Sequence, residues 1–101
     1  ARAEDNFALK ASCENGHLPV VQFLTENWEL TAEDARAQSN LALQLSSQNG
    51  HLPVVRFLTA HYRLTAMDAR AEDNYALRMS CAHGHLPVVH FLAAHWGLTA
   101  E

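Results

Sequence analysis

Apolar positions in this chain fall into a block that is written three times. Leu18, Val20, Val21, Phe23 and Leu24 return as Leu52, Val54, Val55, Phe57 and Leu58, and again as Leu86, Val88, Val89, Phe91 and Leu92. The residue inside each block changes, from Gln22 to Arg56 to His90. Steps of one, three and four residues gather the apolar set on one side of an α-helix and leave the changing residue on the other. The block predicts an amphipathic helix over about Leu18–Asn27, with Val20, Val21, Phe23 and Leu24 as its buried side and Leu18 closing the near end. Pro19, Pro53 and Pro87 stand in the first turn, where an amide lacks a helical partner in any case. A weaker pattern comes before each block. Ala8, Leu9, Ser12 and Cys13 recur at helical spacing and predict a shorter helix from about Phe7 to Glu14, with Asn6, Asn40 and Asn74 as N-caps. Its small residues allow close approach of neighbouring helices. Asn15-Gly16, Asn49-Gly50 and His83-Gly84 end it, because glycine takes the left-handed conformation of a helix C-terminus at low steric cost. Each pair of helices is thus an antiparallel hairpin.

The copies are displaced by 34 residues each time. A fixed period of this size marks stacked repeats that share one continuous core. The units run 1–34, 35–68 and 69–101, and 1–101 is expected to be a single domain. Between hairpins lies a bridge, Trp28 to Ala37 in the first copy. Thr31 with Asp34, and Thr65 with Asp68, have the spacing of a capping box. That predicts a short helical turn over about Ala32–Arg36, with Leu30 and Ala35 turned inward. Trp28, Tyr62 and Trp96 share one position and are expected to form an aromatic ladder. The bridge has no Gly-rich hairpin signal. The predicted fold class is all-α: an α-solenoid of three stacked helix-turn-helix repeats joined by short helical bridges.

The run Asn-x-Ala-Leu, then Gly-His-Leu-x-Val-Val-x-Phe-Leu, is repeated in register and resembles the ankyrin repeat across all three units. It is most similar to the divergent ankyrin repeats abundant in giant viruses and some protists. Three departures stand out. Phe7-Ala8-Leu9-Lys10 occupies the place of the usual Thr-Pro-Leu-His. Pro19, Pro53 and Pro87 replace a usual Glu. The period exceeds the family's usual one of about 33, and the bridge lacks the Gly-Ala-Asp-Val-Asn segment, so short helical bridges are expected in place of β-hairpins. A tetratricopeptide array shares the 34-residue period, but its Trp-x-x-Leu-Gly-x-x-Tyr signature is absent and Pro here opens a helix instead of following one.

Composition narrows the function. The 101 residues are 49% hydrophobic and 18% charged, with a net charge of −4 and the two signs interspersed. No basic patch serves a phosphate backbone, and no apolar run is long enough to span a membrane. Neither a nucleic acid nor a membrane is therefore an expected partner. Cys13 and Cys81 occupy one repeat position two units apart, too far for a disulfide, and are expected to be small, buried, reduced residues of an intracellular, cytoplasmic protein. His17, His51 and His85 form a row spaced by about 10 Å, the distance between packed helices, so they cannot share an ion held at about 2.0–2.1 Å. Their expected role is hydrogen bonding near a helix start or turn. Cys81-x-His83-x-His85 spans a helix end and a turn, but Cys81 falls at the buried small-residue position, so no metal or other cofactor is expected. No nucleophile, base and acid come together, nor is there a Gly-rich phosphate loop, so an enzyme is not expected.

What remains is protein binding. By resemblance, the concave face made by the first helices and bridges holds the partner. The residues that vary there are Glu4, Asp5, Lys10, Glu14 and Asn15, then Gln38, Ser39, Gln44, Gln48 and Asn49, then Arg78, Ala82 and His83. The rival reading is a structural piece, either a fragment of a longer array or a designed scaffold with no evolved ligand. Units one and three share 23 of 33 positions, which favours it. Ends without polar caps would favour weak end-to-end self-association.

Overall fold

The computed structural model describes residues 2–27 and 35–97, with all their side chains except those of residues 2–6, 37–39 and 73. The helices are α1 (Arg2–Glu14), α2 (Leu18–Asn27), α3 (Ala37–Gln48), α4 (Leu52–His61), α5 (Ala66–Ala69), α6 (Ala71–Ala82) and α7 (Leu86–Trp96), and no strand occurs among the described residues. First helices pack side by side, α1 on α3 and α3 on α6, and second helices follow, α2 on α4 and α4 on α7. The stack measures 38 × 22 × 18 Å.

The hairpins form where glycine and proline place them. Gly50, at φ +76°, lets the chain reverse. Its amide donates to the Ser47 carbonyl at 3.2 Å and the His51 amide to the Ser46 carbonyl at 2.9 Å. This paired closure satisfies carbonyls that the end of α3 would leave free. The same two bonds recur after α1 and α6. Leu9, Leu43 and Leu77 from the first helices meet Leu24, Leu58 and Leu92 from the second in one continuous core. Ser12, Ser46 and Ser80 are buried among them, each hydroxyl donating to a carbonyl of the preceding turn, such as Ser46 to Ala42 at 2.9 Å. A small polar side chain can sit in the core because its own helix satisfies it.

The second bridge carries the expected capping box. The Thr65 hydroxyl accepts from the Asp68 amide at 3.4 Å, while the Thr65 amide donates to Asp68 Oδ2 at 2.7 Å. Leu64 and Ala69 are buried, as is Ala35 at the end of the first bridge. Trp28, Leu30, Thr31 and Ala32–Asp34 lie outside the described residues. Asp68 does more than cap α5. Its Oδ1 accepts from Arg36 Nε at 2.8 Å and from Asn40 Nδ2 at 3.1 Å, so the bridge is fastened back onto the start of α3. Burial by itself would raise the Asp68 pKa. The hydrogen bonds from Arg36, the Thr65 amide, Asn40 and the Thr65 hydroxyl outweigh it and hold the carboxyl below its ordinary 3.8.

This network corrects the expected role of the asparagines. α3 and α6 begin at Ala37 and Ala71, before Asn40 and Asn74, and α1 is already under way before Asn6. Asn40 and Asn74 lie inside their helices at φ 65° and 62°. Asparagine is among the few residues that take the left-handed region readily, and Asn40 also supplies a donor that reaches Asp68.

The ends of the stack depart from the internal repeat. Val20 and Phe23 are 46% and 56% exposed, whereas Val54 and Val88 are buried and Phe57 and Phe91 half-buried. These positions face the preceding unit, and in unit one no described residue covers them. Cys13 and Ser47 are buried but Cys81 is exposed, because this position faces the following unit. Burial pushes the Cys13 thiol up to about 12. Of the aromatic residues at the bridges, Trp28 lies outside the described residues, while Tyr62 meets His61 and Phe57, and Trp96 meets His95 and Phe91. Tyr62 reaches across the stack with its hydroxyl, which hydrogen-bonds that of Thr25.

The histidine row is also corrected. Neither His51 nor His85 makes a side-chain capping bond to its helix. Each imidazole instead lies over the glycine of the preceding hairpin. A β-carbon added to Gly50 would come 2.5 Å from His85 Nδ1, and Gly16 is just as tightly covered by His51.

Candidate functional site

Residues three and four apart share a side of a helix, so one face of α1, α3 and α6 presents the predicted positions in parallel rows. Lys10 is half-buried, Gln44 buried and Arg78 exposed. The grading follows position in the stack, since Gln44 alone of the three has a unit on each side. Gln44 is therefore not available for contact, contrary to the sequence reading. In the next row Glu14 and Ala82 are exposed, while Gln48 is half-buried and accepts from the Tyr75 hydroxyl at 2.9 Å. In the third row Asn15 and His83 are exposed, and half-buried Asn49 donates from Nδ2 to the Glu14 carbonyl at 3.0 Å. Gln48 and Asn49 thus tie neighbouring units together. Glu4, Asp5, Gln38 and Ser39 lie outside the described side chains.

One row escaped the sequence reading. Phe7, Leu41 and Tyr75 precede Lys10, Gln44 and Arg78 by three residues and lie one turn away on the same side. Phe7 is 69% exposed, and Leu41 and Tyr75 are half-buried. The Arg78 guanidinium lies over the Tyr75 ring, 5.9 Å from its centre, while its Nη2 donates to the Glu72 carbonyl at 3.3 Å. The signal was present: this position changes from Phe to Leu to Tyr, as a variable contact row does. The face combines apolar rings, an amide-bearing edge and charges of both signs.

Among the described residues no three His, Cys, Asp or Glu side chains come together as ligands. The His83 and His85 ring centres are 6.3 Å apart and tilted by 50°. No described helix is long and apolar enough to cross a membrane.

A family model described as ankyrin repeats (3 copies) matches residues 9–100. No curated protein and no solved structure matches the chain. The match runs through all three hairpins and agrees with their stacking, so the chain belongs to the ankyrin-repeat family, whose repeats generally serve as protein–protein interaction modules.

Proposed function

We propose that residues 1–101 act as one non-catalytic binding domain that holds a protein partner on the face of α1, α3 and α6. One observation carries this reading. The buried framework is copied between units, as with Leu9, Leu43 and Leu77, while the exposed positions of that face change in chemistry. Glu14 becomes Gln48 and then Ala82; Asn15 becomes Asn49 and then His83; Phe7 becomes Leu41 and then Tyr75. Rings beside mixed charges suit a protein segment with apolar anchors and both signs of charge, and the net charge of −4 disfavours a phosphate backbone. A buried thiol at Cys13 and a free, exposed one at Cys81 suit a reducing compartment such as the cytoplasm.

Photo-crosslinking from defined positions tests the reading. A crosslinker at Glu14 or His83 should capture a discrete protein from the native host, and one at Gln22 or His90, exposed on the second helices, should not. Capture from the second helices alone would overturn the assignment of the face. No capture from either side would favour a structural unit without a ligand.

A further inference from the structure

We propose that the groove between the second helices of units two and three binds a small organic phosphate, a phosphomonoester carried on an apolar body. A cavity of about 450 Å³ opens there, between α4 and α7, within the range of about 300–1,000 Å³ usual for small-molecule sites. Arg56, Thr59 and Arg63 line it from unit two, and Phe91 and His95 from unit three. Phe91 stands at a position that faces the preceding unit, so the cavity belongs to a junction within the stack.

The first observation is the Thr59 hydroxyl. Thr59 is 5% exposed, and its hydroxyl has no hydrogen-bond partner among the described residues. One unit earlier the equivalent hydroxyl, that of Thr25, is bonded by Tyr62. Unit three carries Trp96 in the place of Tyr62, and its ring packs edge-on against Phe91 and His95. A buried hydroxyl without a partner costs free energy, and an acceptor oxygen that enters the cavity removes that cost. The second observation is charge. Among the described residues neither Arg56 nor Arg63 pairs with a carboxylate. The Arg56 guanidinium lies over the Phe91 ring, 5.7 Å from its centre, which holds it beside the cavity. His95 stacks on the same ring at 5.2 Å and adds its imidazole nitrogens.

These groups select the ligand. Two guanidiniums match the charge of about −1.5 to −2 that a phosphomonoester carries at neutral pH, and their planar donor pairs suit its oxygens. Ala60 and Leu64 join Phe91 in giving the cavity an apolar side, which takes the body of the molecule. The groove between units one and two repeats the frame without the charge: Gln22 and Glu26 stand where Arg56 and Ala60 stand, and its threonine is already bonded. The site lies on the second helices and is independent of the protein-binding face of α1, α3 and α6.

Titration of the full 101-residue chain with phenyl phosphate, followed by two-dimensional amide NMR, tests the proposal. Saturable shifts should appear at Thr59, Ala60, Leu64 and His95, and none at Thr25 or Glu26 in the first groove. Arg56→Gln and Arg63→Gln should each weaken binding about tenfold or more, and Thr59→Val about fivefold. Both arginines are exposed and the threonine hydroxyl is unbonded, so all three variants should fold, with circular dichroism as the control. Arg70→Gln, exposed and outside the cavity, should leave the affinity unchanged. Inorganic phosphate and benzyl alcohol, each lacking one half of the ligand, should bind more weakly than phenyl phosphate. Shifts that never saturate, or a loss with Arg70→Gln as large as that with Arg63→Gln, would mark a general attraction of anions and overturn the site. Inorganic phosphate binding as tightly as phenyl phosphate would overturn the role given to the apolar side.

Discussion

Adding one methyl group at Gly50 should reveal how much of the stack depends on the seating of imidazole over glycine. Gly50→Ala meets two separate costs. The backbone there has φ +76°, and an L-residue with a side chain costs about 1–2 kcal/mol in the left-handed region. The new β-carbon would also lie 2.5 Å from His85 Nδ1 and 2.8 Å from Cε1 and Cγ. Cγ is bonded to the histidine β-carbon, so turning the ring about its own axis does not clear it; the side chain must swing out or the units must part. Overpacking of this kind costs about 1–3 kcal/mol, giving a total of about 2–5 kcal/mol. Gly84→Ala provides the control. Its φ is +74°, yet nothing lies within 4 Å of the added atom, so only the backbone cost of about 1–2 kcal/mol applies. Urea denaturation at low protein concentration measures both, with a constant slope required for the comparison. In a His85→Ala background the penalty at Gly50 should fall by about 1–3 kcal/mol, a coupling of the size expected for residues in contact. Equal costs at Gly50 and Gly84, or a Gly50 penalty that is unchanged without the imidazole, would refute the seating.

Four further outcomes are expected. The folded-state pKa of Asp68 is depressed, so its stabilisation is complete above the unfolded value of about 3.9 and declines as pH falls below it. Asp68→Asn should cost about 1–3 kcal/mol at neutral pH and flatten the loss of stability between pH 5 and 2; parallel pH profiles would count against the network. Cys81 is exposed and Cys13 buried with its thiol pushed up to about 12, so a thiol reagent should modify one site per folded chain and two in urea. Thr25→Val removes the hydroxyl bonded to Tyr62 and should cost about 1 kcal/mol. Thr59→Val should be neutral or stabilising in the same denaturation assay, because unit three carries Trp96 in the place of Tyr62 and the buried Thr59 hydroxyl has no partner.

The features that could be read from the sequence were those decided within a few residues. Glycine and proline set the hairpins, Thr65 and Asp68 set the capping box, and the apolar block set α2, α4 and α7 with Leu58 and Leu92 fully buried. Contacts between residues far apart along the chain were harder to read, because such partners leave no local trace. His85 reads as a capping residue until Gly50 is found beneath it, and Asn40 reads as an N-cap until Asp68 is found beside it. Repetition itself misled at the ends. Val20 and Val54 are the same residue at the same repeat position, yet one is exposed and the other buried, since exposure depends on whether a neighbour covers the face. On the candidate face the same blindness hid the burial of Gln44 and the row of Phe7, Leu41 and Tyr75.

The contact from Asn49 to the Glu14 carbonyl, 35 residues back along the chain, has a consequence for how such a molecule can change in length. It belongs, with the seating of His51 on Gly16, to a set of ties between units. Removing or inserting a whole unit keeps the seating of imidazole on glycine, since every unit carries the same histidine and glycine. Deleting a single bridge residue does not: it would rotate everything downstream by about 100° about the helix axis, pulling Asp68 from Arg36 or turning His85 off Gly50. Heritable change in the size of this protein should therefore proceed in whole steps, with the fold intact after a duplication and lost after the smallest slip.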